Sequence, residues 1–78
     1  MSLGSNIKEI RMARGISISK LSSVTGVSRS TITEIENDTE RKPNTTTLQK
    51  FAAALDVSMD DFFKEEAVES IKKEMPLG

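Results

Sequence analysis

Apolar residues in this chain recur at helical spacing between short polar stretches that carry caps and stops, and no alternating run is long enough to argue for a strand. The clearest pattern lies behind Asn44, a good N-cap, where Leu48, Phe51, Ala52 and Leu55 fill the i, i+3, i+4, i+7 template. Upstream, Ile7 and Ile10 share one face of a helix expected over residues 7–14, with Asn6 and Glu9 as the polar ends of a capping box and Gly15 as its stop. Ser17 caps a second helix that carries Ile18 and Leu21 and ends at Gly26. Ser28 caps a third, which runs to Asn37 with Ile32 and Ile35 three residues apart, so two short helices meet at a glycine. The polar segment 37–44 contains Pro43 and predicts a loop. Ser58 with Asp61 predicts the cap of a fifth helix bearing Met59, Phe62 and Phe63. Beyond it, Ala67, Ile71 and Met75 recur at intervals of four beside Val68, an amphipathic pattern that Pro76 terminates.

The expected fold is therefore all-α and compact, with five helices over residues 6–63 and an acidic, helical C-terminal extension over residues 64–78. Residues 1–5 are expected to be disordered or extraneous to the domain. With 78 residues there is room for one core, built where short helices cross. The chain has no cysteine, so packing alone must stabilise it, and no histidine, which removes the commonest general base and metal ligand. There is also no glycine-rich phosphate loop and no metal-ligand cluster, so neither catalysis nor a cofactor or metal is expected. No apolar run is long enough to span a bilayer and no export signal opens the chain, so a cytoplasmic protein without a membrane partner is expected. Three phenylalanines are the only aromatics, and a core uses them better than a stacking platform for single strands would.

A net charge of −1 conceals a division along the chain. Residues 1–50 carry eight basic side chains against five acidic ones, whereas residues 51–78 carry three against seven. A phosphate backbone would attract the first part and repel the second.

Stepping about 100° per residue along the third helix separates two faces. Arg29, Thr33, Asn37, Ser30 and Glu34 form one continuous polar sector, while Ile32 and Ile35 lie opposite, with Thr31 at the edge. Such a helix can anchor by its isoleucines and offer hydrogen-bonding groups to a major groove. Arg29 can donate twice to guanine, Ser30 and Thr33 can donate or accept, and Glu34 can accept from cytosine. An ordinary solvated face has the same composition, so context must decide.

That context is the string Ile10-Arg11, Gly15-Ile16-Ser17, Leu21-Ser22, Gly26-Val27-Ser28-Arg29-Ser30-Thr31-Ile32, Ile35-Glu36, Pro43, Leu48, Ala52, Leu55-Asp56-Val57-Ser58. It resembles the phage-repressor and Cro helix-turn-helix, the XRE family, over about residues 6–63. The resemblance implies a lambda-repressor-like domain that binds double-stranded DNA and regulates transcription, encoded by a bacterium or phage and held at the nucleoid when bound. A repressor that binds a palindromic operator as a symmetric homodimer is the leading expectation. Leu21, Val27, Ile32, Ile35, Leu48, Ala52, Leu55 and Phe62 would form the core, and Arg11 would pair with Glu36. Base reading would fall to Ser28, Arg29, Ser30, Thr33 and Glu34. Phosphate contacts would fall to Ser17, Ser19, Lys20, Asn37, Arg41, Lys42, Asn44 and Thr45, several of them at helix N-termini, which attract anions.

Three positions depart from the family pattern. Ile18 stands where glutamine is usual and cannot donate to phosphate. Ser22 replaces alanine on the side of the second helix that meets the third, and its hydroxyl needs a partner. Asp38 replaces the common glycine after the third helix. Asp38 and Glu40 near the DNA backbone predict moderate monomeric affinity. Phe63, Val68 and Ile71 are candidate dimer contacts. The alternatives for the extension are that it packs back on its own domain or binds a protein partner, as in an antitoxin or anti-repressor complex.

Overall fold

The computed structural model describes residues 2–39 and 42–64, and among them forms four α-helices and a closing 3-10 turn, with no strand. The helices are α1 (Leu3–Ala13), α2 (Ile18–Thr25), α3 (Arg29–Glu36) and α4 (Thr45–Leu55), and the turn is Met59–Phe63. Ser17, Ser28 and Asn44 cap α2, α3 and α4, each side-chain oxygen accepting a hydrogen bond from the backbone N–H three residues on. Ser58 and Asp61 form the expected capping box, although the element they open is a 3-10 turn and not a fifth α-helix. The extension from residue 65, with Val68 and Ile71, lies outside the described residues, as does Arg41.

The start of α1 corrects two expectations. The helix begins at Leu3, capped by Ser2 in a box with Ser5, so residues 2–5 belong to the fold. Asn6 is not a cap but a buried residue of the second turn, and its side-chain amide donates to the carbonyls of Phe62 and Lys64, both at 2.8 Å. Asn-x-x-Glu looks like a cap to local inspection, whereas two distant carbonyls without helical partners compete for the same amide.

Every α-helix ends on a residue in the left-handed region, which lets the next amides close onto the last free carbonyls. After α3, Asp38 (φ 55°) donates to Ile35 O and Thr39 to Glu34 O, a Schellman pair. After α4, Asp56 and Val57 close onto Ala53 O and Ala52 O in the same way. Only Gly and, less readily, Asp or Asn adopt this conformation at modest cost.

The elements touch in a circuit: α3 packs on α1, α1 on the 3-10 turn, the turn on α4, α4 on α2, and α2 back on α3. Each helix is too short to persist alone in water, so it is held by its neighbours. The enclosed core is Ile7, Ile10, Leu21, Ile32, Ile35, Leu48, Phe51, Ala52, Leu55 and Phe62. This contains the expected residues except Val27, which is half-buried at its edge together with Ile18.

Gly4 lets α1 come directly against the end of α3. A Cβ there would lie 2.2 Å from Ile35 O and 2.8 Å from Glu36 O, both backbone atoms that cannot rotate away. Gly4→Ala is therefore expected to cost about 2 kcal/mol or more, as overpacking against a fixed wall does. Urea denaturation should show a lowered midpoint, and an unchanged midpoint would mean that α1 can shift along α3 without loss.

Candidate nucleic-acid interface

The two central helices are joined by a turn whose amides are already in use. Gly26, at φ 79°, donates to Ser22 O at 2.8 Å. Thr25, buried at the end of α2, donates to Leu21 O at 2.7 Å and accepts from the Val27 N–H at 3.2 Å. Ser28 then starts α3, accepting from the Thr31 N–H at 3.2 Å and donating to Thr31 Oγ1 at 2.8 Å. Nothing lies within 4 Å of a Cβ built on Gly26, so the backbone angle and not crowding calls for glycine there.

With the turn fixed, α3 divides as its sequence requires. Ile32 is 0% exposed and Ile35 3%, while Arg29, Ser30, Thr33 and Asn37 are exposed and Glu34 is half-buried. Ser28 is exposed too, but one lone pair and its proton serve the cap, which leaves a single acceptor site. Ser17, Ser19, Lys20, Lys42, Asn44 and Thr45 are all exposed. The Ser17 oxygen accepts from the Lys20 N–H at 3.0 Å and Asn44 Oδ1 from the Thr47 N–H at 2.8 Å, so these side chains order the helix starts at which they sit. Phe63 is 62% exposed.

Behind the exposed face, Arg11 and Glu36 form a two-pronged buried pair. Arg11 Nε lies 2.7 Å from Glu36 Oε2 and Arg11 Nη2 3.1 Å from Oε1, while Nη1 donates to Ile16 O at 2.9 Å. The fork geometry satisfies both carboxylate oxygens and fixes the rotation of α3 about its own axis.

Ile18, where a phosphate donor is missing, is half-buried and packs on the core instead. Asp38 does not stand free beside the interface: its carboxylate accepts from the Gly4 N–H at 3.0 Å and from the Ser2 hydroxyl. Sequence reasoning also missed Thr25 and Gly4. A threonine just before a helix-ending glycine is a local signal for the first, whereas the second depends on a contact across the chain. Among the described residues no helix is long and apolar enough to cross a membrane, and no acidic group clusters as a metal site.

An anchored helix behind a short glycine turn, with a bare polar face, defines a helix-turn-helix. A family profile described as Helix-turn-helix matches residues 7–62, and the chain belongs to this family, of the phage-repressor and Cro type. It is similar to the HTH-type transcriptional regulator SinR of Bacillus subtilis (strain 168), 35% identical over 63 residues that cover 81% of this chain and 57% of the relative. The SinR of Bacillus licheniformis matches with the same identity and coverage. The HTH-type transcriptional regulator SutR of Escherichia coli (strain K12) is 38% identical over 60 residues, 77% of this chain and 33% of the relative. This chain thus spans between a third and a little over half of these relatives. The family is a non-catalytic one.

Glu36→Ala would strand the Arg11 guanidinium in the interior, and the expected loss is about 3–5 kcal/mol. Arg11→Met with Glu36→Leu should recover much of it, because an apolar pair of similar volume needs no charge compensation. Chemical denaturation of the single and double variants checks both, and a double variant no better than the single would show that the pair cannot be replaced by packing.

Proposed function

We propose that this chain is a sequence-specific, double-stranded DNA-binding transcriptional regulator that acts in the bacterial cytoplasm as a repressor, with α3 in the major groove of a palindromic operator. The observation that carries this reading is the separation on α3 of a buried isoleucine face from exposed Arg29, Ser30 and Thr33. Arg29 stands at the helix start, where a groove is entered most deeply, and can grip guanine O6 and N7 together. Ser30 and Thr33 follow on the same face, with Glu34 at its edge. Lys20 and Lys42, the helix starts at Ser17 and Asn44, and neighbouring Ser19, Asn37 and Thr45 supply phosphate contacts that set register. Arg41 would join them from the loop.

The operator follows from a selection of duplexes from a random pool. On the selected duplex, Arg29→Ala should cost about 1–3 kcal/mol and relax preference at one base pair. Lys42→Ala should weaken selected and unselected duplexes alike and lower the salt slope by about one. Equal effects of the two substitutions on specificity would remove the division between reading and positioning residues.

Two copies bound one turn apart would place their α3 helices about 34–36 Å from each other. Phe63, exposed at the end of the described domain, supports a contact between copies. Sedimentation of the chain with its selected duplex should show two copies per duplex, and a single copy at saturation would exclude the symmetric dimer.

A further inference from the structure

We infer that Asp38 is a positioning residue for DNA recognition: by holding the first turn of α1 it sets the tilt of α3, and its negative charge does not act as a repeller of the DNA backbone. The inference rests on the reading of α3 as the groove helix.

Asp38 sits just past the end of α3, at the left-handed position that closes the helix. One carboxylate oxygen accepts from the Gly4 N–H at 3.0 Å and the other from the Ser2 hydroxyl. The amide end of α1 carries partial positive charge, so this is a carboxylate placed where a helix N-terminus favours it. Gly4 brings the two backbones into direct contact, leaving no room for a side chain between them. Seven residues along α1, two turns further on the same face, Arg11 grips Glu36. α1 therefore holds α3 at two points, both near its C-terminal end.

The residues that would read bases lie at the other end. Arg29 is eight residues from Asn37, about 12 Å along the axis, so a tilt of roughly 5° about the held end moves the Arg29 backbone by about 1 Å. A shift of that size separates a well-formed base contact from a loose one. With the Asp38 grip gone, the Arg11–Glu36 fork is left to hold α3 to α1 by hydrogen bonds, beside the non-directional packing of Ile32 and Ile35 and the turn from α2, so the tilt of α3 is set less tightly.

Charge repulsion makes the opposite prediction, and two substitutions separate the cases. Asp38→Gly keeps the left-handed backbone and removes the carboxylate, whereas Asp38→Asn keeps an acceptor for the Gly4 N–H and removes the charge. Affinities are measured by fluorescence anisotropy, at a temperature where melting curves show every variant folded, on the pool-selected duplex and on a random-sequence duplex. We expect Asp38→Gly to bind the selected duplex about tenfold or more weakly, a loss of about 1.4 kcal/mol, with the random duplex changed less than about twofold. Asp38→Asn should stay within about threefold of the parent on both, the lost charge assistance being the smaller part. Ser2→Ala, which removes one of the two donors together with the N-cap of α1 and changes no residue of α3, should fall between them. Tighter binding of the selected duplex by both Asp38 variants overturns the inference in favour of repulsion, and unchanged binding by Asp38→Gly overturns it outright. A parent chain that enriches no duplex from the pool defeats the groove reading itself, an outcome distinct from either.

Discussion

An eight-residue helix carries too few internal hydrogen bonds to hold its own shape in water, and the face of α3 that would read bases is the face that cannot be packed. Everything else in the domain answers to that constraint. The buried fork of Arg11 on Glu36 is its sharpest expression, because it fixes the helix from behind through a planar, two-point contact. The isoleucines on the same side add depth without direction. Apolar burial keeps α3 on the core, and directional hydrogen bonds decide how it is turned there.

The same division runs through the rest of the chain. Helix starts are set by hydroxyl and amide caps at Ser2, Ser17, Ser28 and Asn44, and helix ends by left-handed residues. Between them the core needs only suitable apolar bulk. This economy suits a chain with no cysteine for disulfides or metals, in which secondary-structure ends must be stabilised locally.

Much of this was legible in the sequence because it is local. Ser17, Ser28 and Asn44 announce α2, α3 and α4 by themselves, and the polar sector of α3 follows from its period alone. The Arg11–Glu36 pair is implied by the family resemblance and not by spacing, since 25 residues separate the two. What stayed hidden is non-local. Asn6 and Glu9 imitate a cap, and only the carbonyls of Phe62 and Lys64 reveal the use made of Asn6. The hydrogen bonds of Asp38 have no local signal, because its partners, Ser2 and Gly4, are more than thirty residues away. Ile18 has no donor to offer a phosphate, and its packing against the core is likewise not visible locally.

The circuit of contacts has a consequence for how the domain comes apart. Each element leans on two others, and Asn6 fastens the last turn to the first helix. Peeling off the 3-10 turn exposes Phe62 and abandons that amide, while releasing α1 strips support from α3 and the turn together. Loss of any one element removes contacts from two others, so the circuit ties the stability of each short helix to that of the rest.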